Sequence, residues 1–300
     1  MKNRTIKVVI LSLFLIPVLN GKAQVQIKSE YIFSSKFKDE NGTDLNGKGD
    51  MKTVGVDIRI PVSVSMNENN KPNAWAVGLG GIYASINGKN LSKEYYKPEI
   101  WNGQLGIMHL RNLNDRFSIL ATLGIGLYTS DLKNIQGKSF IGQGGGLLIW
   151  HVKPNFDFGA GVAINNALGY PMVFPSFYLD WKLEGRYELT LTMYDSFNLS
   201  ISTRITDCFK LGVIGEINGL MVPVDKDNKS MYFVTQYGYA GLRPEFILGK
   251  TLSIPITCGV SFSRDMYFQS KTLKAFFEED AKYPHFGSSA YFSIGLKYGL

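Results

Sequence analysis

Histidine and cysteine are the scarcest reactive side chains in this 300-residue sequence, three and two in number. His285 stands near Ser288 and Ser289, and a histidine that draws the proton from a serine makes it a nucleophile. Such a pair needs hydrogen-bond reach, which nearness in sequence alone does not supply. His109 and His151 fall at strand ends beside short turns. No GxSxG, HExxH or CxxC pattern occurs. Gly142, Gly144, Gly145 and Gly146 lie in an alternating stretch with no helix after it, so the structural condition for a phosphate-cradling loop fails. The residues point away from an enzyme, and no cofactor is expected.

The remaining polar chemistry is ionic. Seven basic residues (Lys28, Arg59, Lys182, Arg204, Lys210, Arg243, Lys297) and seven acidic ones (Glu30, Asp57, Asp157, Asp180, Glu188, Glu216, Glu245) share one face of alternating segments. A balanced set of this kind suits a lining of paired charges better than an ion-selective pore. Asp57, Arg59, Arg243 and Glu245 are the candidates to line a lumen and meet a ligand there.

Alternation is what positions them. Side chains of a strand point in turn to opposite faces. The last segment, 287–300, puts Ala290, Phe292, Ile294, Leu296, Tyr298 and Leu300 on one side. The segment 53–65 puts Val54, Val56, Ile58, Ile60, Val62 and Val64 on one side, with Gly55, Asp57, Arg59, Pro61 and Ser63 on the other. The pattern recurs along the chain and gives about fourteen strands, with twelve as the alternative. An amphipathic last strand would expose an edge unless it pairs with the first strand. Connections alternate between long and short, with one exception at Asp195-Ser196. Loops are expected at 35–52, 87–98, 131–139, 166–174, 218–235 and 264–286. The last of these, with Lys271, Lys274, Phe276, Phe277, Glu278, Glu279 and Asp280, reads as a partly ordered loop or a short amphipathic helix over a mouth.

Trp75, Phe117, Phe156, Trp181, Tyr187 and Phe209 fall near short turns, as an aromatic belt at a membrane interface would. No apolar run reaches the roughly 20 residues of a spanning helix. In hydrocarbon every backbone polar group must be paired, which leaves a closed barrel. The expected fold is therefore all-β, a transmembrane antiparallel up-and-down β-barrel in one domain, 24–300. A secreted β-sandwich is the soluble alternative. Lipid is the surrounding partner, and small solutes are candidate cargo.

The start of the chain reads as an export leader. Lys2, Arg4 and Lys7 precede an apolar run over 8–19, followed by Gly21-Lys22-Ala23, which predicts cleavage after Ala23. Removing 1–23 lowers the net charge from +7 to +3, because 28 basic and 25 acidic residues remain. That leaves no nucleic-acid footprint. Cys208 and Cys258 are expected as small buried thiols that do not pair.

The whole of 24–300 resembles outer-membrane β-barrel proteins of Gram-negative bacteria. The Gly21-Lys22-Ala23-Gln24 context and Arg243-Pro244-Glu245 are similar to uncharacterised barrels of the Bacteroidetes type. The resemblance implies outer-membrane location and handling by the barrel-assembly machinery. It implies a passive channel or binding barrel, with a plugged structural barrel and a lipid-modifying enzyme as alternatives.

Overall fold

The computed structural model describes residues 23–66, 72–165, 172–183, 187–193, 197–272 and 282–299. Residues 1–22 of the leader expected over 1–23, residues 67–71 of the turn expected at 67–73, and 273–281 within the loop or short helix expected at 264–286 lie outside the described residues. The strands are β1 (Gln24–Lys38), β2 (Asp44–Met66), β3 (Pro72–Lys89), β4 (Glu99–Asn112), β5 (Phe117–Thr129), β6 (Phe140–Lys153), β7 (Phe156–Asn165) and β8 (Met172–Leu183). They continue as β9 (Tyr187–Met193), β10 (Phe197–Thr206), β11 (Phe209–Lys226), β12 (Lys229–Leu248), β13 (Leu252–Ser270), β14 (His285–Phe286) and β15 (Ser289–Tyr298). No helix of the described residues is long and apolar enough to cross a membrane.

From β1 to β14 every strand pairs antiparallel with the next in sequence, and β15 pairs with both β13 and β1. Fourteen strands thereby close a ring. The two-residue β14 is wedged between β13 and β1 beyond the end of β15. Closure removes the edge that an amphipathic terminal strand would expose.

Around the ring, outward positions are apolar and bare. Val62 is 67% exposed and Leu123 65%. Val54, Leu105, Ile125, Val162, Phe177, Ile201, Val213, Leu242, Val260 and Ile294 are exposed likewise. A contiguous apolar exterior of this extent would not persist in water, and it matches the lipid-facing band of a membrane barrel. At the short-turn rim the outward aromatics meet in cross-strand pairs. Trp75 stacks on His109 at 4.1 Å, Phe156 meets Trp181 edge-on at 6.5 Å, and Phe209 meets Phe246 at 5.3 Å.

The strands are unequal, and this corrects the expected loops. β2 has 23 residues, β12 has 20 and β13 has 19, whereas β9 has 7 and β10 has 10. A membrane crossing takes about 9–11 residues, so one wall of the barrel overshoots the bilayer. The regions 35–52 and 218–235 are therefore mostly strand, each folded about a tight turn. At 39–43, Asp39 Oδ1 accepts from the backbone N–H of Asn41 and Thr43, at 2.9 and 2.7 Å, with Gly42 at φ 85°. At the other turn Asp227 and Asn228 both adopt positive φ, 51° and 59°, the backbone that a two-residue hairpin requires.

Above the bilayer the facing rule inverts. Water now meets the outer face, so the inner face carries the apolar side chains. Ile32, Phe37, Met51, Ile86, Ile100, Leu220, Val222, Phe233, Met266 and Phe286 form one buried core there. Register shifts in β1 between Ile32 and Ser35, and between Lys36 and Lys38, change the spacing and let Phe37 join it. Arg264 is embedded in the same cap, 1% exposed, its guanidinium 4.0 Å above the Phe286 ring. It donates to the Gly49 carbonyl at 2.6 Å and to Ser35 Oγ at 3.0 Å. Burial pulls its pKa down to about 10.

The cysteines also correct the expectation. Both are free, as expected, but both are exposed. Cys208 lies in the turn between β10 and β11, and Cys258 shares the outward face of β13 with Val260. In a barrel an apolar strand face is the outside.

Candidate lumen site

The cross-strand registers place all fourteen charged candidates on the inward face, but they do not form one site. On β2, Asp57 and Arg59 sit side by side, Arg59 Nε lying 3.1 Å from Asp57 Oδ1, with both side chains about half exposed. Opposite them in register are Gly80 and Gly78 of β3. The same inward layers continue through Gln104 and Gly106, Gly126 and Gly124, then Ile141 and Gln143, with Gly145 and Gly161 on the same face of β6 and β7. Small residues on this wall leave a cavity of about 420 Å³, bounded by Asp57, Arg59, Gln104, Thr122, Gln143 and Ser176. Gln143 Nε2 donates to Gln104 Oε1 at 3.0 Å across its floor.

The opposite wall is filled. Arg243 and Glu245 lie on β12, where Glu245 pairs in register with Lys210 and Pro255. Ser253 donates to Glu245 Oε1 at 2.6 Å. Glu188 takes Lys210 as its ion-pair partner. The structure therefore places Asp57 and Arg59 together and Arg243 and Glu245 together, on different parts of the ring.

Between that wall and the cap sits a polar network that sequence reading did not single out. Glu30 of β1 accepts from Thr53 Oγ1 at 2.6 Å, Tyr237 OH at 2.9 Å and Tyr291 OH at 2.6 Å. Lys28 Nζ lies 2.8 Å from Glu30 Oε1 and 3.2 Å from Glu216 Oε1, and it donates to Tyr239 OH at 2.7 Å. Tyr239 in turn donates to Glu216 Oε2, which Asn198 also reaches, while Asn218 serves Oε1. The Tyr239 and Tyr291 rings stack at 3.9 Å. Partners up to 261 residues apart meet here, so only closure of the ring assembles the set. The one sequence signal was the alternation that put Lys28, Glu30 and Glu216 inside.

Above this network the outer half of β11, still paired with β12, contacts β4 and β5 across the ring. Lys138, in the 3-10 turn Gly137–Ser139, pairs with Asp225 near the tip of β11. That hydrogen bond holds the Asp225 carboxyl below its ordinary pKa.

The histidines fall otherwise than a catalytic reading of His285 requires. Its Nδ1 meets the Tyr283 carbonyl at 3.1 Å, and no hydrogen bond to Ser288 or Ser289 is found among the described residues. It is His151, at the short-turn rim, that has a serine and an acid. Ser118 Oγ lies 2.6 Å from His151 Nε2, and His151 Nδ1 lies 2.8 Å from Asp157 Oδ1. The geometry is that of a triad, yet Ser118 has 0% exposure and its Oγ is also 2.5 Å from Asn112 Oδ1. A nucleophile must touch its substrate, and no carbonyl reaches this one. The chain of bonds ties β4, β5, β6 and β7 together at the rim. Among the described residues no group of three metal-ligating side chains occurs.

A closed sheet with an apolar outer band and a polar lining is an outer-membrane barrel, and the outer membrane is where this fold resides. Comparison with solved structures finds distant likenesses to outer-membrane proteins. The NanC porin is 8% identical, with a TM-score of 0.36, over 92% of this chain and 100% of that one. An outer membrane channel from Pseudomonas putida F1 is 6% identical, with a TM-score of 0.43, over 94% and 96%. The TodX monoaromatic hydrocarbon channel is 10% identical, with a TM-score of 0.40, over 94% and 90%. At such low identity, what those proteins carry does not transfer to this chain. A search of curated proteins finds no match. The family model for a domain of unknown function, DUF6268, matches residues 19–299, and the chain belongs to that family.

Proposed function

We propose that this barrel is a passive conduit for small polar solutes, closed at its outer end in the arrangement seen. The observation that carries this reading is the glycine-walled cavity of about 420 Å³ beside Asp57 and Arg59. A barrel built only to be rigid would fill that wall with side chains, as the opposite wall is filled. Asp57, Arg59, Arg243 and Glu245 line the path, and no catalytic step is assigned to any of them. A leader cleaved after Ala23 exports the chain, the barrel-assembly machinery inserts it, and the whole is of the Bacteroidetes type.

Conductance of refolded 24–300 in planar bilayers tests this, after heat-modifiable migration on a gel has shown that the barrel is folded. Expected is a small ohmic conductance that changes when Arg59 is replaced by Gln. A folded, inserted barrel that stays silent even after its outer closure is loosened would overturn the conduit. The second reading is a plugged barrel that presents its cap to the outside. It is favoured by the apolar packing of the outer half, and it requires that silence.

A further inference from the structure

A small second cavity lies against the filled wall, a few residues from the short-turn rim where β1 begins and β15 ends. Its volume is about 120 Å³, and Lys28, Arg243, Lys297, Thr257, Ser293 and Glu216 are among its lining residues. Register fixes the arrangement. Lys297 of β15 pairs with Gln26 of β1 and Ser253 of β13, Thr257 pairs with Ser293, and Arg243 of β12 pairs with Gly212 of β11.

The charges around this cavity are unevenly committed. Glu216 is saturated, because Lys28 and Asn218 occupy Oε1 while Tyr239 and Asn198 occupy Oε2. Lys28 is held between Glu30 and Glu216. Lys210 is taken by Glu188. Glu245 accepts from Ser253 and acts on Lys297 and Arg243 only at longer range, beyond ion-pair distance. Neither Arg243 nor Lys297 makes a side-chain ion pair among the described residues. Arg243 Nε is buried with no hydrogen-bond partner among them. A buried donor left unpaired costs about 1–3 kcal/mol, and more when charged, so the open Nε of Arg243, beside a lysine and two hydroxyls, favours an added acceptor. A guanidinium offers a planar fork that matches a carboxylate in two hydrogen bonds.

We infer that this cavity binds the carboxylate group of a small organic acid, with Arg243 and Lys297 as the charged donors and Thr257 and Ser293 as neutral ones. The lumen then prefers carboxylate-bearing solutes over uncharged ones of the same size. The inference rests on the reading of the lumen as reachable by solutes, and the two fail separately: conductance reports passage, while calorimetry on the detergent-folded barrel reports binding.

The test is titration of folded 24–300 with sodium gluconate and, in parallel, with sorbitol, its uncharged counterpart. Expected is saturable binding of gluconate and none of sorbitol. Arg243→Gln and Lys297→Gln should each weaken gluconate binding at least tenfold. Arg243→Lys, which keeps the charge and loses the fork, should fall between. Heat-modifiable migration of each variant shows that it has folded. Equal binding of sorbitol, unchanged affinity in both Gln variants, or no gluconate binding to a barrel that conducts would each overturn the carboxylate site. The last result would leave the conduit standing.

Discussion

Glu30 is 5% exposed and serves four side chains from four strands: Lys28, Thr53, Tyr237 and Tyr291. A carboxylate at that depth is tolerated only because its lone pairs are taken. Replacing Glu30 by Ala strands three hydroxyl donors and leaves Lys28 with one carboxylate instead of two. Removing one partner of a buried pair costs about 3–5 kcal/mol. The expected outcome is a lower temperature for loss of the compact band on heat-modifiable gels, with insertion retained. Conversion of Glu30→Ala at the wild-type temperature would show the network to be dispensable. No sequence signal could have named the partners, since Tyr237 and Tyr291 share their strand faces with many other residues. The facing of Glu30 was legible, because Ile27, Ser29 and Tyr31 alternate around it.

At the scale of elements, the decisive piece is the hairpin of β11 and β12. Its lower halves are wall and its upper halves are cap. Lys138 and Asp225 pin the tip of β11 to the turn after β5. The folded pKa of Asp225 is lowered by its hydrogen bond to Lys138. A depressed carboxylate pKa means that the pair supports the closed form in full above the ordinary Asp value of 3.8 and loses that support as pH falls through the lowered value. Conductance of the wild type should therefore rise on acidification below about pH 4, while Asp225→Asn should conduct more at neutral pH and lose that acid response. The pair is exposed, so salt should mimic acid in part. Equal pH profiles for the two proteins would remove the latch from the account of closure. Reading 218–235 as a loop missed this hairpin. There the apolar side turns from lipid to interior, and a pattern that inverts mid-strand looks like a pattern that ends.

At the scale of the molecule, the barrel is lopsided. The wall β11–β13 with β1–β3 is tall, and β7–β10 are short. A short wall cannot support a cap over itself, so the tall wall leans across and buries its own apolar face against the far side. Deleting the hairpin tip, residues 222–233, removes Val222, Val224 and Phe233 from that core. Conductance should increase several-fold while the membrane ring, whose register lies below, stays heat-modifiable. A shortened barrel that folds and remains silent would place the barrier lower, at the Lys28–Glu30–Glu216 network.

The sequence by itself determined what period-two alternation carries: an all-β barrel of about fourteen strands, with the last strand closing on the first. It also determined that the exterior is apolar, because lipid selects each outward residue independently of its neighbours. Only the tertiary structure decided where strands stop, which charges meet, and whether the lumen is open. Strand ends depend on where water replaces lipid outside the wall. Pairing of Lys28 with Glu216 depends on how tightly the ring curves over four intervening strand contacts. Closure depends on one hairpin leaning across the ring. Each of these is a distance between residues far apart in the chain, and alternation fixes a residue's face without fixing what it faces.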